Sequence, residues 1–185
     1  SLAALSPNLV FLDSSPFESR FDSVVLGYEL GISLALDHLT ELGHTRIGFI
    51  GPVYKLDDRR QRALEVRRQL FERQAEQRGL LDLGLMLDCP MEGALGALLA
   101  LLEAGLSVPG DLSVVSFNDT PRSALVDPPL TSVSTHVEEM ARAALRLLGE
   151  RASIGGREPI RTLPLKLVVP PTLTVRESTG PVRRL

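Results

Sequence analysis

The sequence predicts an α/β protein in which parallel sheets are wrapped by helices, and three observations carry that expectation. Short runs rich in Val, Ile, Leu and Phe alternate with longer stretches whose apolar residues recur at helical spacing. Glycine and proline fall between these segments, where a helix must stop or a strand must turn. The 185 residues are 44% hydrophobic, enough apolar surface for one sizeable core or two smaller ones. Strands that alternate with helices are joined by crossovers, which yield a parallel layer covered by helices.

Leu9 to Asp13 (LVFLD) reads as a short buried strand, and Val24-Val25 marks another. Ile32, Ala35, Leu36 and Leu39 share one helical face, with Gly43 placed to end that helix. Arg46 to Ile50 is the next strand, closed by the breaker pair Gly51-Pro52. Asp57 and Asp58 stand where an N-cap and an acidic first turn belong, ahead of a helix running toward Gly79. Leu83 to Leu87 (LGLML) is a further strand, and Ala94 to Ala104 a helix. Leu112 to Phe117 is a β-branched strand following the turn VPGD. Val137, Met140, Ala141, Ala144, Leu145 and Leu148 form the apolar stripe of a last helix, and two strands follow around Leu163 to Val169 and Thr172 to Val175.

Charge and motif content exclude several functions. With a net charge of -3 and 23% charged residues, the chain lacks the clustered Lys and Arg excess that phosphate contact needs. The arginines between Asp57 and Arg78 are nearly balanced by Asp57, Asp58, Glu65, Glu72 and Glu76, which describes a solvated, ion-paired helix face. No apolar run reaches the roughly 20 residues that cross a bilayer, and no secretory leader opens the chain. The lone Cys89 cannot form an internal disulfide and reads as a buried thiol; a cytoplasmic location is the simplest expectation. Paired cysteines, HExxH, GxSxG and GxxxxGK[ST] are all absent, so no enzymatic mechanism, metal site or cofactor is expected. His38, His44 and His136 read as surface or capping residues.

Two long stretches, HLTELGHTRIGFIGP from His38 to Pro52 and the run from Gly105 to Leu148, together with the closing LVVPPTLTVREST, resemble the effector-binding core of LacI-type bacterial transcriptional regulators. The resemblance covers nearly the whole chain but begins partway into the family pattern, after its helix-turn-helix and the start of its sensor. It implies a periplasmic-binding-protein-like fold, with two parallel-sheet subdomains around a ligand cleft. Residues 1–23 with 132–160 would form a partial N-terminal subdomain, and 24–131 with 161–185 the C-terminal one. The implied function is a ligand-sensing core that binds a small, sugar-like effector and modulates operator binding through a DNA-binding domain outside this chain. A solute-binding protein for sugar transport is the alternative on the same fold.

The resemblance also implies site residues. Counting back from Gly79 puts Arg67 at the family's ligand-binding arginine, whose planar fork suits paired hydroxyls or a carboxylate, although Leu70 replaces a glycine of that pattern. Asn118 stands in place of an effector-binding Asp, and its amide can both donate and accept. Asp13 would face the cleft or else cap the turn Ser14-Ser15-Pro16. Gly27-Tyr28 and Pro90-Met91 replace polar pairs of the family, and Tyr28 would stack on a ring or simply pack. The helix from Ala94 is apolar around nearly its whole circumference, so it is either buried within the monomer or shared with a second subunit. The family places it in a homodimer interface with the loop PRSALVDPPL, which nominates Ala94, Leu98, Leu101 and Leu125. Between Gly79 and Leu83 the family has a further strand and helix, so a break or deletion is expected there.

Overall fold

A computed structural model describes residues 9–13, 21–51, 54–56, 62–64, 66–88, 93–151 and 161–182, the side chains of 54–56, 62–64 and 93–95 excepted. In chain order the first elements are β1 (Val10–Leu12), β2 (Asp22–Leu26), α1 (Tyr28–Glu41), β3 (Phe49–Gly51), β4 (Tyr54–Leu56), β5 (Arg62–Leu64) and α2 (Val66–Gln77). They are followed by β6 (Met86–Asp88), α3 (Gly93–Glu103), β7 (Val115–Asn118), β8 (Thr131–Ser134), α4 (Val137–Arg151), β9 (Lys166–Val169) and β10 (Thr172–Thr174). Contacts divide the chain into one unit of Ser1–Gly27 with His136–Pro170 and another of Tyr28–Thr135 with Pro171–Leu185.

In the first unit β2 runs between β1 and β9, parallel to both. α4 covers this sheet because Met140, Ala143, Ala144 and Leu147 recur on one helical face and close over Val24, Val10, Leu167 and Val169. Glu138 and Glu139 sit in its first turn, where carboxylates favour the helix dipole. The edge of this core holds a buried ion pair. Asp22, 1% exposed, accepts from both terminal nitrogens of Arg161 at 2.8 Å and from the Leu165 N–H at 2.7 Å. Arg161 also donates to Glu150 at 2.8 Å, so one guanidinium joins β2, α4 and the approach to β9. Burial pushes the Asp22 carboxyl up, but the Arg161 and Leu165 hydrogen bonds and the charges of Arg161 and Arg151 outweigh it and hold the group below its usual range.

The second unit contains the parallel pair β7 and β8, with β10 antiparallel on the far side of β8, and a separate parallel pair β3 and β6. Ile32, Leu36 and Leu39 of α1 meet Phe71 and Ala75 of α2 around Ile47, with Phe49 and Phe71 centroids 5.4 Å apart. α1 also crosses the sheet closely: a Cβ on Gly31 would lie 3.1 Å from Val133 and 3.2 Å from Phe117, so glycine is what lets the helix settle there. Leu98 of α3 packs with Val108 and Leu130 in a second cluster.

Several expectations are corrected. The helix anticipated from Asp57 begins only at Val66, because Arg62–Leu64 is a strand paired antiparallel with Tyr54–Leu56; Asp57 and Asp58 lie outside the described residues, as do Cys89, Pro90, Met91 and Ser14 to Pro16. The strand expected at Leu83 to Leu87 starts at Met86, since Asp82 accepts from the Gly84 N–H and winds Leu83–Leu85 into a 3-10 turn. The Arg46 strand likewise starts only at Phe49. The chain runs on directly from Gly79 to Leu83, which sets aside the expected break but not the expected deletion. Gly79, at φ +68°, ends α2 with the Leu80 N–H donating to Ala75 O at 2.8 Å, and Leu80 and Leu81 pack on the α1–α2 core. The chain crosses between units after Gly27, Thr135 and Pro170, later than the expected 23, 131 and 160. The reason is pairing: β2 and β9 bind each other in the first unit, while β8 stays with β7 and β10 in the second.

Candidate functional site

In open α/β layers ligands bind outside the carboxyl ends of parallel strands, where strand ends, helix starts and loops converge. Asn118 closes β7 at that end of the second unit and is exposed. Phe117, its neighbour, is the ring that meets Gly31 in the first turn of α1, so the start of α1, Tyr28 included, lies at the same edge. α1 and α2 run parallel, because Glu29 is met by Arg73 at 2.7 Å and by Gln74 at 2.8 Å while Asp37, two turns on, is met by Arg78 at 2.8 Å. Arg67, one residue into α2, therefore lies at the amino end of this helix pair as well. Three of the four expected ligand residues, Tyr28, Arg67 and Asn118, thus gather at one end of the second unit. Tyr28 and Arg67 are half-buried. Leu70 packs against the hydrophobic core, so its side chain is used in the fold.

Asp13, the fourth, belongs to the first unit. It follows β1 at φ +67°, is exposed, and its N–H donates to Val24 O at 2.8 Å. Its position is again the carboxyl end of a parallel strand.

Sequence reasoning passed over the support beneath Asn118. Asn118 and Asp119 both have left-handed backbones, with φ of 83° and 44°. The Asp119 carboxylate accepts from Arg176 at 2.7 Å and from the Thr174 hydroxyl at 3.1 Å, and its N–H donates to the Ser132 hydroxyl at 3.0 Å. Arg176 also donates to Leu130 O at 2.6 Å. The only trace of this in the sequence was the run TLTVREST, which placed a strand and a family signature but singled out no residue.

The expected interface residues separate. Leu98 is 1% exposed and belongs to the monomer core, which corrects its nomination, and Leu101 packs partly against the same cluster. Leu125 is 82% exposed, and on the described part of α3 the exposed large apolar side chains are Leu99 and Leu102. The Ala94 side chain lies outside the described residues. Among the described residues no group of His, Cys, Asp and Glu could hold a metal, and no helix is long and apolar enough to cross a membrane.

Comparison with known proteins places this geometry. Residues 86–179 match the periplasmic binding protein-like domain family. The transcriptional repressor MelR of Bacillus subtilis is 33% identical over 202 residues, covering 92% of this chain and 56% of MelR. A LacI family transcriptional regulator from Mycobacterium smegmatis superposes with a TM-score of 0.72 at 29% identity, over 97% of this chain and 74% of that one. The regulator CelR in complex with cellobiose gives 0.74 at 26% identity, over 91% and 58%. The chain spans about half the length of the curated relatives it matches. The aligned stretch with MelR, 202 residues, is longer than the chain's own 185, so MelR carries residues inside the matched span that have no counterpart here.

Proposed function

The chain belongs to the periplasmic binding protein-like domain family, as a LacI-type effector-binding core, and on that premise we propose that it is the ligand-sensing part of a transcriptional repressor whose effector is a sugar or sugar derivative. The observation that carries this reading is the gathering of Tyr28, Arg67 and Asn118 at one end of the second unit. An aromatic ring, a forked donor and an amide supply what a polyol needs: a face to stack on, paired donors, and a group that both donates and accepts. CelR, a structural relative, is a cellobiose complex, which supports the sugar class. The matched relatives are regulators, and this favours sensing over transport.

The mechanism we propose is linkage. A sugar that binds one conformation better than another shifts the equilibrium between them, and operator DNA is released or held by a helix-turn-helix outside these 185 residues. The working form is a cytoplasmic homodimer joined through the exposed side of α3 and the loop around Leu125.

A thermal-shift panel of pentoses, hexoses and disaccharides, cellobiose among them, tests the sugar assignment. A ligand at a hundred times its Kd adds about 2.7 kcal/mol to stability and must raise the midpoint. Arg67→Ala should abolish that shift and Asn118→Ala should reduce it. A response confined to amino acids or metal ions would sink the sugar reading.

A further inference from the structure

We infer that Arg176 is a positioning residue for ligand recognition, acting through Asp119 to hold Asn118 in its left-handed conformation; the inference rests on the sugar-binding reading of that edge. Successive left-handed residues without glycine are uncommon, and they persist only where surrounding contacts over-determine them. Here the contacts come from neighbours on three sides. Ser132 of β8 takes the Asp119 N–H, Thr174 of β10 takes one carboxylate oxygen, and Arg176 takes the other. Arg176 is fixed in turn by its bond to Leu130 O and by its own N–H, which donates to the Thr131 hydroxyl at 2.9 Å. The pair is largely screened from water, with side-chain exposures of 21% for Arg176 and 14% for Asp119. Asn118 itself is exposed, so its backbone is set from beneath while its amide stays available at the carboxyl end of β7.

Without the guanidinium, Asp119 keeps one side-chain donor in place of two, and the turn is free to relax toward ordinary backbone angles. Asn118 would then leave the orientation in which it meets the ligand. A residue that served stability alone would lower the melting point and leave the affinity of the folded protein unchanged.

The experiment uses the full chain in two readouts. Isothermal titration with cellobiose and D-ribose compares wild type, Arg176→Ala, Arg176→Lys, Asn118→Ala and the double Asn118→Ala/Arg176→Ala, below the melting point of the weakest variant. Arg176→Ala should raise Kd by about tenfold or more, Arg176→Lys should recover most of the loss, and the double variant should be no weaker than Asn118→Ala alone. The second readout needs no ligand: the strong intraresidue HN–Hα NOE of a positive φ at Asn118 and Asp119 should disappear in Arg176→Ala and return in Arg176→Lys. If that signal persists in Arg176→Ala, or the two losses of affinity simply add, the inference is overturned. If the signal is lost but neither sugar binds the wild type, the positioning stands and the sugar reading falls.

Discussion

Asp22 shows how much one side chain can carry away from any binding edge. Removing it leaves the largely buried Arg161 with Glu150 as its one carboxylate partner, so Asp22→Ala should cost about 3 kcal/mol, read from urea unfolding. Because the folded carboxyl titrates below its unfolded value of about 3.9, the stabilisation is complete above that pH and is lost as pH falls through the folded value. His38 gives the second pH signature. Burial lowers its pKa, the nearby Glu41 opposes this, and His44 adds to it. The folded state therefore prefers the neutral ring, whose contribution is full above about pH 6.5 and declines below it toward the lowered value. His38→Gln, which can keep a hydrogen bond to Thr179, should flatten the stability profile in that window; an unchanged slope would remove His38 from the account.

The elements differ in how far sequence could specify them. α1 was legible because its apolar residues fall on a single stripe, and the carboxyl ends of β1 and β7 were placed closely enough to put Asp13 and Asn118 at strand ends. α4 was recognised as a helix, but Val137, Ala141 and Leu145 of its expected stripe are exposed, and Leu147, which was not in it, is fully buried with Met140. β4 and β5 were not, since Asp57-Asp58 before a charged run imitates a helix start and three-residue strands carry almost no period. The buried face of α3 was illegible for a different reason: with Leu or Ala nearly all round, periodicity has no contrast, and only packing against Val108 and Leu130 selects Leu98. The Arg176 support was hidden because its partners lie more than 40 residues away in sequence. α3 yields a paired prediction. Leu98→Ala should lower stability by about 3 kcal/mol through the cavity it opens, with no change in assembly state. Leu102→Glu, at a position 42% exposed, should barely alter stability while converting dimer to monomer in sedimentation. A wild type that is monomeric at high concentration would end the dimer proposal.

At the scale of the whole molecule, each hydrophobic cluster among the described residues is drawn from a single unit: Val24, Met140 and Leu147 from one, the clusters around Leu36 and Leu98 from the other. Heat unfolding should therefore depart from two-state behaviour, with a calorimetric enthalpy larger than the van't Hoff value. Asp22→Ala should widen that gap by moving only the first unit's share to lower temperature. Coincident enthalpies in both proteins would mean that the cores melt as one.

The interleaving of the chain also sets an order of events during synthesis. Because β9 pairs with β2 and α4 covers them, the first unit cannot close until residues near Val169 have left the ribosome, although β1 and β2 are made well over a hundred residues earlier. β1 and β2 must wait while everything from Tyr28 to Thr135 is made, with Val24 uncovered throughout. The second unit waits slightly longer still, since β10 and the Arg176 segment follow β9 in the chain. A chain cut before Lys166 would thus leave neither half able to fold, and the newborn chain is most exposed to aggregation, or most dependent on a chaperone, just before β9 and β10 emerge.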